Sequence, residues 1–293
     1  VAAACLLVGR RRPIDGLIAG LLAIVAVLTL DALRGAPLVL NSVLGYSPTV
    51  AGRFAGFGNP AYAAYSAAAL CGAVLLVHRI GGRRGFAVGA AVLALAVVID
   101  VAPMWGSDVG GILSMVPAYA VTLAVLRGRR IRLRTVVTAI VGVALVAAIA
   151  AAVDFARPEA DRTHLGRLVE RVRDNGVGDG WSIIVRKLGM NVASVGSSLL
   201  GLVLLVAVVA GIVVWRRHRE RVQAVLVAVP EWRAACVGFA VLAVLGFALN
   251  DSGMTVPGIM LVVFVATWAH LLVGVPPAVS ETASAPESGR ELA

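Results

Sequence analysis

The sequence predicts an all-α fold: a polytopic transmembrane helical bundle of about eight full spans and a partial N-terminal helix, with an amphipathic interfacial helix on its extracytoplasmic face. Three observations predict it. Of the 293 residues, 60% are hydrophobic and only 14% charged, against about 45–50% and about 25% in a soluble domain. The apolar residues form long runs instead of alternating, and a bilayer absorbs such surface where a soluble core of this size does not. The basic residues fall in short clusters between those runs, the layout by which membrane proteins fix their orientation.

Taken in order, residues 1–9 are apolar and stop at Arg10, Arg11 and Arg12. So short a stretch does not cross the roughly 30 Å of hydrocarbon, which takes about 20 helical residues. Its charges follow the apolar part, whereas a signal peptide carries them in front, so it reads as part of a helix from a longer protein. Spans are then expected at 17–33, 61–79, 86–102, 111–126, 135–153, 191–215, 234–249 and 254–273. One alternate set of connections holds sixteen basic residues, in clusters at 10–12, 79–84, 127–134 and 216–233. The other holds nine, seven of them in the single long loop 154–190. The positive-inside rule therefore assigns the arginine-rich set to the cytoplasm and the chain to the inner (plasma) membrane. Residues 1–274 form the transmembrane domain. The Pro/Ser/Glu-rich stretch 275–293 reads as a disordered cytoplasmic tail.

The net charge of +10 does not point to nucleic acid, because it is split among connections instead of forming one basic face. The expected partners are membrane lipids. Lys187 is the only lysine among 26 basic residues; with the wealth of Ala, Gly and Val this suggests a GC-rich bacterial genome. Cys5, Cys71 and Cys236 lie in apolar spans without CxxC or Cys/His spacing, which supports neither a disulfide framework nor a zinc site. No metal site and no cofactor is assigned.

The candidate chemistry lies in the outer connections. Asp31, Asp100 and Asp154 each end a span on that side, Asp251 begins the last outer turn, and Asp108 and Asp161 are close by. A carboxylate within a bilayer costs about 2.5–3.5 kcal/mol at mid-helix and less at a wet helix end, so it has a partner or a task. On the cytoplasmic side, acids at span ends have arginines beside them. A second group is Gly52–Pro60 (GRFAGFGNP), where glycines allow close backbone approach. Arg53 there presents a planar fork suited to phosphate or carboxylate, and Pro60 is placed to start a helix whose free amides favour an anion. Asn59 stands at the same turn. A third is Arg162-Thr163-His164-Leu165-Gly166-Arg167, with His164 the one outward-facing histidine. There Leu165, Leu168, Val169 and Val172 oppose Arg162, Arg167, Arg171 and Arg173, the pattern of a helix lying in the interface. The fourth is the polar turn Asn250-Asp251-Ser252-Gly253, with Pro257 following, which suggests a bent or half-broken helix.

The stretches GRFAGFGNPAYA, RTHLGR and NDSGMTVP resemble an uncharacterised bacterial family of integral membrane proteins, often fused to an extracytoplasmic alkaline-phosphatase-like domain. The resemblance runs over most of residues 30–270. No phosphatase-like domain lies in this sequence, so its ligands and nucleophile find no counterpart. GRFAGFGNP is also similar to a short motif of O-antigen ligases and polymerases, which act on polyprenyl-linked glycans outside the membrane. The leading expectation is therefore the membrane part of a cell-envelope protein that handles a lipid-linked phosphate or glycan, with a polyprenyl-phosphate-linked lipid or a phospholipid as substrate. Arg53, Asn59, Arg162, Arg167 and Asn250 would bind it; Asp31, Asp154 or Asp251 would act as base or metal ligand, and His164 would carry a proton. The alternatives are a transporter or flippase with an acidic outward-facing site, and a non-catalytic anchor or scaffold for a missing extracytoplasmic domain.

Overall fold

The computed structural model describes residues 5, 8–10, 12–40, 42, 45, 56–130, 132–158, 189, 199–250 and 252–275. They form helices α1 (Pro13–Leu33), α2 (Asn59–Ile80), α3 (Gly82–Val101), α4 (Val109–Leu126), α5 (Leu133–Phe155), α6 (Leu199–Arg217), α7 (Arg219–Ala228), α8 (Trp232–Leu249) and α9 (Thr255–Gly274). Among the described residues there is no strand. Six helices, namely α1, α2, α3, α5, α8 and α9, are long and apolar enough to cross a membrane, and α4 is apolar over the shorter Gly110–Leu126. The regular structure of the described residues is thus all helical, and its six membrane-length helices fit a multi-pass membrane protein. The predicted interfacial helix at 162–173 and the tail from 276 lie outside the described residues.

Helix ends follow from local chemistry. Pro13 opens α1 and Pro60 sits in the first turn of α2, positions where a missing N–H costs nothing. Asp108 caps α4 by accepting the Gly110 N–H at 2.9 Å. The other end of α4 closes with Gly128 N–H on Val125 O and Arg129 N–H on Ala124 O, with Gly128 at φ +66°. That is the Schellman arrangement, and it needs the glycine. Helix α7 falls inside what the sequence reads as an arginine-rich connection. It is short and flanked by charge, which hides its buried Val222 and Val225 from any search for long apolar runs.

Helix α2 is the pillar of the bundle. It touches α1, α3, α4, α8 and α9, and 89% of its most apolar stretch is buried. Its run of Ala, Ser, Cys and Gly between Ala61 and Ala73 explains this, because small side chains let neighbouring backbones come close. The same device recurs where Gly238 of α8 faces Thr122 of α4 and Gly89 of α3 faces Ala73 and Val77 of α2. Helix α5 is the opposite case. Only 17% of its apolar stretch is buried, and Ile140, Val141, Leu145 and Ile149 stand exposed, as side chains facing lipid would.

Successive long helices of this core run antiparallel, which gives the bundle two chemically different ends. At one, Arg79 of α2 pairs with Asp15 of α1, His78 of α2 with Glu231 before α8, and His270 of α9 bonds to Pro13 O. At the other, the turns after α3, α5 and α8 interlock around the start of α2, and Thr29 near the end of α1 bonds to Tyr65 of α2. This second, carboxylate end holds the candidate site.

Candidate functional site

Three polar turns converge on the start of α2. The Phe57 N–H donates to Gly106 O at 2.8 Å, tying residues 56–58 to the turn between α3 and α4. Backbone meets backbone here. A Cβ on Gly56, which has φ +88°, would lie 2.2 Å from Gly106 O, and one on Gly106 would lie 2.2 Å from Asp100 O. Asn59 then donates its side-chain amide to Ser252 Oγ, tying the same turn to the one between α8 and α9. Asn250, at the end of α8, packs its side-chain amide against Gly110 beside the Asp108 carboxylate.

Asp100 is fully buried at the end of α3. Its carboxylate fills the space beside Gly111, so any side chain at 111 would displace it, and the Tyr62 ring edge closes the same space. One step further in, Tyr62 and Ser114 hydroxyls lie 2.5 Å apart, and Ser114 donates to Gly110 O at 2.7 Å. Ser114 has a single proton to give, so Tyr62 is the donor in this pair. Tyr119 donates to Ser66 O at 2.9 Å, and Tyr65 and Thr29 share a hydrogen bond of 3.0 Å. Polar groups therefore continue from the turns into the apolar body of the bundle along α2.

Asp154 is fully buried at the end of α5, 3.3 Å from Arg157, which also reaches Pro103 O at 3.4 Å. The pair fastens α5 to the 103–106 turn. Asp31 is 2% exposed and its two oxygens accept the N–H groups of Leu38 and Val39, at 2.7 and 3.1 Å. These bonds stay within its own turn, where Ala36 takes the left-handed φ of +61°.

Of the residues singled out in the sequence, the structure therefore brings Asn59 to the 250–253 turn and Asn250 to the start of α4. Asp154 joins the rim through the 103–106 turn, and Asp31 holds the chain leaving α1. Arg53, Arg162, His164, Arg167 and Asp251 lie outside the described residues. Pro257 sits in the first turn of α9, which runs unbroken to Gly274, so the expected half-broken helix is not formed there. Ser114, Tyr62, Gly106 and Arg157 are parts of this end that the sequence did not single out, whereas Ser252 belongs to the polar turn that it did. Only the glycines had a legible signal: Gly106 and the pair Gly110-Gly111 flank Asp108 in a short outer connection. Compared with protein-family models, curated proteins and solved structures, the chain matches none.

Proposed function

We propose that the chain is the membrane part of a bacterial cell-envelope protein in the inner membrane, which handles a lipid-linked phosphate or glycan at the carboxylate end. In this reading α1–α6, α8 and α9 are eight spans, and the carboxylate end faces out of the cytoplasm. One observation carries it. Asn59, Asp100, Asp108, Asn250 and the Asp154–Arg157 pair gather at one end of an apolar bundle, on three interlocked turns. Such a concentration of buried polar groups at membrane depth is costly unless it serves packing or a ligand.

Asn59 and Asn250 supply amide donors at helix ends, and Arg53 is the candidate cation for the phosphate. Asp154 and Asp251 are the candidate proton acceptors. The unbroken α9 favours this reading over transport, whose usual sign is paired broken helices. The sidedness is tested by impermeant thiol labelling of intact cells. Arg34→Cys should react above the background of native cysteines and Arg84→Cys should not; the reverse pattern inverts the site. The ligand is tested with the full chain in nanodiscs, by thermal stabilisation with a polyprenyl phosphate against the matching polyprenol. Stabilisation by the phosphate alone, weakened in Asn59→Ala/Asn250→Ala, supports the reading. Equal effects of the two lipids would defeat it.

A further inference from the structure

The opposite end of the bundle holds a second feature, independent of the reading above. Helices α4 and α5 pack tightly only over part of their length. Ile112 and Val116 of α4 meet Val143, Val146, Ala147 and Ala150 of α5, and a Cβ on Gly142 would lie 3.5 Å from Val116. Beyond Ala120 and Thr138 a cavity of about 750 Å³ lies between them. Its floor is Ala120, Leu123 and Ala124, and its rim is the 127–134 connection, which brings Arg127, Arg129, Arg130, Arg132 and Arg134 to one opening. The Schellman close of α4 fixes where this connection begins.

We propose that this cavity binds the headgroup of an anionic phospholipid from the leaflet at the arginine end. Charge is the first argument. Arg127 rests on the Phe86 ring at 4.2 Å, a contact that leaves its charge uncancelled. The ion pairs formed among the described residues are those of His78, Arg79 and Arg157, so Arg127, Arg129, Arg130 and Arg134 have no acidic partner among the described residues. Like charges brought to one opening repel, and a phosphate diester relieves them while accepting bidentate hydrogen bonds.

The shape of the floor decides between a lipid and a soluble anion. A free phosphate would use the rim alone. The apolar floor adjoins the exposed side of α5, where Val137, Ile140 and Val141 face outward. An acyl chain can therefore run along the helix while its phosphate stays among the arginines. Basic pockets between transmembrane helices take acidic headgroups for this reason.

The test uses the purified full chain and native mass spectrometry, with dioleoyl-phosphatidylglycerol against dioleoyl-phosphatidylcholine. The wild-type protein should retain the anionic lipid in preference. The variant Arg129→Gln/Arg130→Gln/Arg134→Gln should retain at least about tenfold less of it, while eluting as a monodisperse species on size exclusion. An equal loss of charge elsewhere, Arg216→Gln/Arg217→Gln/Arg219→Gln, should change retention little. Ala124→Phe fills the floor without touching charge and should also release the lipid. An equal fall in both arginine variants would show attraction by net charge and overturn the site. Retention unchanged by Ala124→Phe, with displacement by inorganic phosphate, would show a soluble-anion site instead and overturn the lipid assignment.

Discussion

At the carboxylate end Asp31 and Asp154 are 2% and 0% exposed, and Asp31 spends its oxygens on backbone N–H groups. At the arginine end Asp15 and Glu231 keep 24% and 30% of their side chains exposed and pair with side chains, Arg79 and His78. Three glycines at each end show the contrast, although Gly35 at the carboxylate end also has open space and a Cβ on Gly85 at the arginine end would lie 2.8 Å from Val77 O. Gly56, Gly106 and Gly111 admit no side chain because backbone or a carboxylate already occupies its place, whereas Gly81, Gly82 and Gly128 turn the chain with open space beside them. The same residue types thus lock one end and merely decorate the other. A locked end holds polar groups in fixed positions, as a recognition site requires. The positively charged end is more exposed, with its ion pairs near water and its arginines around the α4–α5 cavity.

The contrast is broken most directly at the glycines. Gly106→Ala would push a methyl group into the Asp100 main chain, which cannot yield as a flexible side chain does. It should cost about 3 kcal/mol or more, and much of the protein should fail to accumulate in membranes. Gly128→Ala strains only its own left-handed backbone at φ +66° and should cost about 1–2 kcal/mol. Thermal unfolding of the two variants in detergent gives the comparison. If Gly106→Ala melts no lower than Gly128→Ala, the close backbone approach at the carboxylate end does not exist as described.

Asp31→Asn is the next largest effect. Asparagine presents one acceptor and an N–H₂ group to a site with two backbone donors, so one N–H loses its partner and meets another donor. Leaving a buried donor unsatisfied costs about 1–3 kcal/mol. Protease sensitivity should rise locally at residues 34–40 before the bundle itself melts. Loss of stability without local cleavage would argue that Asp31 serves something other than its own turn.

The six membrane-length helices were legible because each is a run of apolar residues long enough to cross a bilayer, a property of composition that no tertiary contact alters. Their order of burial was not legible. Helix α2, the pillar, has the lowest mean hydropathy of the six candidate spans, 1.6, because it is built of alanine and serine; hydropathy measures affinity for lipid, and its neighbours are other helices. Asp31, Asp100 and Asp154 could be placed at one end from span boundaries alone. What each carboxylate touches depends on how turns fold over one another, and Asp100 against Gly111 joins two helices across a tight connection. Arg157 went unnoticed for a related reason. It counts as one more loop arginine until α5 is seen to reach Asp154 and put it three residues on, against Pro103 O.

The smallest effect lies at the arginine end, and it sharpens the comparison most. The Asp15–Arg79 contact looks strong, with Nε to Oδ1 at 2.6 Å and Nη2 to Oδ2 at 3.4 Å. Its side chains are nevertheless 24% and 40% exposed, in the wet region where helices leave the membrane. Water and salt screen such a pair, and fixing two side chains costs entropy. Asp15→Asn should therefore shift Tm by no more than about 2 °C, and the shift should shrink further as salt is raised. Asp31→Asn should be much less sensitive to salt, because the Asp31 carboxylate is buried and its partners are uncharged backbone amides. Measuring both variants across salt concentrations separates position from residue type. If Asp15→Asn proved as damaging as Asp31→Asn and equally insensitive to salt, the arginine end would be as dry as the carboxylate end. The difference between the ends would then lie in their partners and not in their burial.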